Sequence, residues 1–137
     1  MTQTIYALSL KQPWATLLVH GLKQVEVRRW ATSRRGRVLI HAARVSDPRA
    51  EAWAKVPKEL QEQAKMVGGI IGQAELTGCK IYRTMEAFAA EQALHLNDPA
   101  WFEPPLLYGF TFARAVQLPF QRYAGWFRFF PVKWQDG

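Results

Sequence analysis

The chain has 137 residues, 49% hydrophobic and 21% charged, with 18 Lys/Arg against 11 Asp/Glu and a net charge of +7. That length suits one domain with its own core, residues 1–137, and the composition excludes a disordered chain. The only cysteine is Cys79, which excludes an internal disulfide and fits a cytoplasmic setting; no apolar run approaches the roughly 18 residues of a membrane span, and no secretory leader pattern opens the chain.

In chain order, "IYALSL" alternates Tyr6, Leu8 and Leu10 as a strand does, and "KQPWATLLVHG" then changes to helical spacing through Trp14, Leu17 and Leu18. Pro13 suits the first turn of that helix and Gly21 its C-terminal end. "QVEVRRW" returns to period two, so Glu26 and Arg28 should lie side by side, away from the Val25/Val27 face. "TSRRG" reads as a turn, and the continuous apolar run of "RVLIHAA" as a strand buried on both faces. Asp47 and Pro48 are placed as the cap and first residue of a helix "PRAEAWAK", with "KELQEQAKM" a second helix after Pro57 on a surface insertion. "GGIIGQAELTGCKIY" is strand-like, Thr84 is placed to cap "MEAFAAEQAL", "NDPAWFEPP" is a loop, and two more strands follow in "LLYGFTFARAV" and "GWFRFFPVKW". Six strands interrupted by short helices, without regular βαβ alternation, indicate an α+β fold built on a small mixed barrel or curled sheet.

The charge is segregated. Residues 1–50 carry nine Lys/Arg and two acids, residues 51–110 five and eight, and residues 111–137 four and one. If the two basic ends meet, they form a face suited to phosphates. "RRWATSRRGR" sets Arg28, Arg29, Arg34, Arg35 and Arg37 around a turn, with Trp30 among them. Guanidinium forks and an exposed indole suit single-stranded nucleic acid, while a core position for Trp30 is an equal alternative. "GGIIG" lacks the spacing of a dinucleotide loop, and its glycines are read as serving bulges or close backbone approach. His20, His41 and His95 are isolated and read as capping or core histidines; lining a site is the alternative for His41, inside an apolar strand. No Cys/His cluster offers a metal site, so neither metal nor other cofactor is expected.

The segment "GLKQVEVRR" contains Gly-x-Lys-x-x-Glu-x-Arg, formed by Gly21, Lys23, Glu26 and Arg28. Together with "LSLKQPWATLLVHG", "RRGRVLIHAA", "GGIIGQAEL", "LYGFTFARAVQLPF" and "FPVKW", it resembles the ASCH (activating signal cointegrator homology) domain of the PUA-like superfamily, over nearly the whole chain. The resemblance implies a β-barrel surrounded by short helices, a cleft in which the motif residues gather, and binding of RNA or other nucleic acid. It also implies an alternative: small members that hydrolyse N4-acetylcytidine use a lysine, a threonine three residues later and a glutamate from a later strand. Lys23 and Glu75 match two of these, but position 26 is Glu, as in the cointegrator-type branch. A ribonuclease is a weaker third reading.

An ammonium between Glu26 and Glu75 would be held charged, which suits ligand positioning better than general-base chemistry. A purely structural ion-pair network is the alternative for Lys23, Glu26 and Arg28. The expected binding surface is therefore Trp14, Lys23, Glu26, Arg28 and Arg29 with the basic turn of Arg34, Arg35 and Arg37, and the expected ligand is RNA or single-stranded nucleic acid. If the cleft is catalytic, its candidates are Lys23, Glu26 and Glu75. Protein partners would take the place of nucleic acid if salt-sensitive oligonucleotide binding were lacking.

Overall fold

The computed structural model describes residues 2–136. Six strands form one sheet: β1 (Gln3–Leu10), β2 (Val25–Arg28), β3 (Gly36–Ala42), β4 (Gly69–Tyr82), β5 (Leu107–Arg122) and β6 (Phe129–Trp134), in the order β2-β5-β4-β3-β1-β6. β1 and β3 run parallel, and every other pairing is antiparallel. Four short helices accompany them: α1 (Trp14–Val19), α2 (Ala50–Trp53), α3 (Met85–Ala90) and α4 (Gln92–His95).

The fold is the expected α+β arrangement, but the barrel does not close. Among the described residues no ladder joins β2 to β6, the two edges of the sheet. β2 is four residues long and is paired on one side, with β5. Side chains fill the gap instead: the Trp30 ring meets Phe110 and Phe129 edge-on, with centroids 5.0 and 5.7 Å apart. Trp30 thus occupies the core position rather than an exposed stacking site.

Three register shifts between β4 and β5 coil the sheet around α1. One falls between Ile70 and Gly72. A Cβ on Gly72 would stand 2.6 Å from the Val116 carbonyl oxygen and 2.7 Å from a Val19 methyl, so the bare backbone lets strand, bulge and helix meet, as read for "GGIIG". All six residues of α1 are buried, packed with Leu8, Leu10, Val38, Ile40 and Phe110 on the inner face of the sheet. Ile5, Ala7, Leu39, Ile70, Phe130 and Val132 make a second cluster. β3 contributes to both, which explains its unbroken apolar run.

Helix boundaries depart from expectation where apolar anchors are sparse. Pro13 stands at the N-cap of α1 rather than within its first turn, while Gly21, at φ +76, ends the helix as expected. The region of "PRAEAWAK" and "KELQEQAKM" gives only α2 and two 3-10 turns, Lys58–Leu60 and Gln63–Lys65. Its buried anchors are Ala52, Val56 and Ala64, too few and too small for an amphipathic stripe. Thr84 caps α3 through the Ala87 N–H, but a break at Glu91 divides the expected helix into α3 and α4. No helix of the described residues is long and apolar enough to cross a membrane.

Candidate functional site

Lys23 follows the Gly21 turn, and its backbone N–H donates to the Leu17 carbonyl at the end of α1. That attachment directs its side chain inward. Nζ donates to the His95 carbonyl oxygen at 2.7 Å, lies 3.5 Å from Glu26 Oε1 and sits 4.9 Å from the Trp14 ring centroid. Its side chain is 1% exposed. Burial pushes the Lys23 amine below the usual lysine value of 10.5, against the attraction of Glu26. The expectation of an ammonium held charged between two carboxylates is corrected here: only Glu26 is at hand.

Period two in β2 then sets Arg28 beside Glu26. Arg28 Nε donates to Glu26 Oε2 at 3.0 Å, and Nη2 donates to the Ser9 carbonyl oxygen at 2.8 Å. Lys23, Glu26 and Arg28 form one charged chain from the interior to the wall of a cleft of about 540 Å³. His95, which receives the Lys23 amine on its carbonyl, stacks on Phe88 at 4.0 Å. Its Nδ1 accepts from the Asn97 N–H and its Nε2 donates to the Phe88 carbonyl. Desolvation pushes His95 below the usual histidine value; it is a core histidine, as read.

The opposite wall comes from the segment before α2. Asp47 does not cap that helix, which begins at Ala50 with Arg49 extended before it. Its carboxylate instead accepts from Trp14 Nε1 at 2.8 Å, from the Arg49 backbone N–H at 2.9 Å and from Arg49 Nη2 at 2.7 Å. Desolvation would raise the Asp47 carboxyl, but these bonds outweigh it and hold it at about 2. The Arg49 guanidinium lies 3.6 Å from the Trp101 ring centroid, and Trp101 meets Trp14 edge-on at 6.2 Å. Ser9, Lys11 and Asn97 complete the lining.

Of the sequence-predicted residues, the cleft gathers Trp14, Lys23, Glu26 and Arg28. Arg29 pairs with Glu103 and lines an adjoining groove of about 370 Å³. The basic turn points elsewhere: Arg34 lies 3.8 Å over the Tyr6 ring, Arg35 donates to the carbonyls of Thr32 and Arg34, and Arg37 donates to Asp136 and Gln73. Glu75 is bound to Arg114 and is not among the cleft residues. Asp47 and Arg49 were missed as site residues because "SDPR" has the pattern of a helix start. Among the described residues, no three His, Cys, Asp or Glu side chains gather as metal ligands would.

The model of the ASCH domain family matches residues 8–135. A segment of 37 residues, 27% of this chain, is 57% identical to activating signal cointegrator 1 of Mus musculus and of Homo sapiens, and spans 6% of those proteins' length. The crystal structure of ASCH from Zymomonas mobilis superposes with a TM-score of 0.62 at 18% identity, covering 85% of this chain and 72% of that one. A point variant of the same protein gives 0.61 at 17% identity, over 85% and 74%. At such identity these structures speak for the fold alone. With the family model spanning nearly the whole chain and the solved structures sharing its architecture, the chain belongs to the ASCH domain family and has its PUA-like fold.

Proposed function

We propose that this protein binds RNA or single-stranded DNA and takes one unpaired nucleotide into the cleft. The observation that carries this reading is the charged chain Lys23–Glu26–Arg28, which opens on a cleft that Lys11 and Arg49 also line. At about 540 Å³, the cleft falls in the range of roughly 300–1,000 Å³ usual for small-ligand sites, which suits a single nucleotide. In this reading the free edges of Arg28 and Arg49 and the Lys11 ammonium take phosphate oxygens. Glu26 accepts a hydrogen bond from a base amino group or ribose hydroxyl. Lys23, turned inward, acts as a positioning residue that holds Glu26. The protein would work in the cytoplasm, consistent with its free Cys79.

Hydrolysis of an N4-acetylcytidine-like amide has less support. Glu75 is engaged by Arg114 on another part of β4, Glu26 stands where threonine is needed, and the Lys23 donors face the interior. Turnover of the free nucleoside that disappears in Lys23→Met would favour it.

The proposed function is tested by a salt titration of oligonucleotide binding. If about four phosphates are contacted on a single strand, log K should fall against log salt with a slope near −3. An affinity indifferent to salt would remove the reading.

A further inference from the structure

A second groove, of about 740 Å³, adjoins the first and shares Ser9, Lys11 and Ala43 with it. Lys11, Arg44 and Arg122 line it, all three exposed, and no carboxylate is among its lining residues. Among the described residues none of these three cations forms an ion pair. One wall is the loop 123–128 between β5 and β6, which carries Trp126 and Phe127 into solvent at 67% and 70% exposure. Their rings lie 5.6 Å apart at 34°. The fold makes no use of these two surfaces. The chain's other tryptophans are buried or half-buried.

The foot of this loop is fixed. His41, on the floor of the groove, receives the Ser9 hydroxyl at Nδ1 (2.9 Å) and donates from Nε2 to the Tyr123 carbonyl oxygen (2.7 Å). A carbonyl can only accept, so Nε2 carries a proton, and burial pushes the ring below the usual histidine value. Gly125 packs closely against that ring: a Cβ there would come within 2.6 Å of Cε1. A fixed foot beneath a solvent-exposed indole makes a stacking platform beside three cations without ion-pair partners among the described residues.

We propose that a single strand with one nucleotide in the cleft continues past Lys11 into this second groove, its phosphates on Arg44 and Arg122 and a base stacked on Trp126. The proposal rests on the nucleic-acid reading of the cleft and extends it. The charge row selects a polyanion, and the indole selects one whose bases are free to stack, so the occupant is single-stranded nucleic acid rather than duplex. His41 is a positioning residue for the platform.

The test is equilibrium binding of oligouridylate and oligothymidylate, from the mononucleotide upward, to the full chain and to Trp126→Ala. Affinity of the unaltered protein should step up once the strand reaches about four nucleotides, the low end of site sizes in single-strand grooves. Trp126→Ala, at an exposed position, should weaken long strands by between about fivefold and a hundredfold. It should leave the mononucleotide unaffected, and Trp126→Phe should restore part of the loss. Gly125→Val, which forces the loop off His41, should behave as Trp126→Ala does. Salt-dependent binding of long strands with equal affinity in the unaltered protein and Trp126→Ala would overturn this inference while leaving the cleft reading intact. Failure of every oligonucleotide to bind would overturn both. Self-association that disappears in Trp126→Ala, without a change in strand affinity, would assign the loop to a second copy and overturn the inference.

Discussion

Replacing Glu26 with Leu should lower the free energy of unfolding by about 3–5 kcal/mol, the usual effect of removing one member of a buried ion pair. Lys23 would keep the His95 carbonyl but lose its only carboxylate, and Arg28 would lose the acceptor of its Nε. The double variant Lys23→Met/Glu26→Leu should recover much of that loss, because it removes the stranded amine together with its partner and fills the space with apolar groups. Denaturant unfolding with unchanged m-values would measure both. The effect of pH adds a sign. Burial places the folded-state Lys23 below its ordinary 10.5, so between the two values the unfolded chain binds more protons and stability rises with pH. Loss of Glu26, which raises the Lys23 value, should extend that window to lower pH. A Glu26→Leu variant as stable as the parent would mean that the pair contributes nothing to the folded state.

Asp47→Ala should cost about 2–4 kcal/mol, since it strands the buried indole N–H of Trp14 and frees Arg49 from its place across the cleft. The acid limb of the stability curve reports the same contacts. The Asp47 carboxyl is held at about 2 against an ordinary 3.8. Its contribution, about 2 kcal/mol, is therefore complete above 3.8 and is lost as pH falls toward 2. Urea midpoints of the parent should drop across that interval more steeply than those of Asp47→Asn. Parallel acid limbs would show that Asp47 is not engaged as described.

Local periodicity made the strands and their order along the chain legible, together with the Glu26/Arg28 pairing and the end of α1 at Gly21, because these depend on neighbours a few residues away. What stayed hidden depends on distant partners. The inward turn of Lys23 is decided by the His95 carbonyl, 72 residues on, and the anchoring of Trp14 by Asp47, 33 residues on. The arginine-rich turn shows the opposite failure. Arg34, Arg35 and Arg37 are close in the chain, yet Tyr6, local carbonyls and Asp136 draw them apart. The strand count left a barrel and a curled sheet both open and the family resemblance implied the barrel; among the described residues the sheet keeps two free edges, β2 and β6.

The most direct test of the nucleic-acid cleft compares oligonucleotide affinity in Arg28→Ala and Arg35→Ala at one ionic strength, after both are shown to fold. Each removes one positive charge, so long-range attraction falls equally. Arg28 lines the cleft, whereas Arg35 is exposed beyond it on its own turn. Loss of the charged contact at Arg28 should weaken binding about tenfold or more, with Arg35→Ala near the parent. Equal losses in the two variants would contradict the cleft as the site and leave only a general attraction to a basic surface.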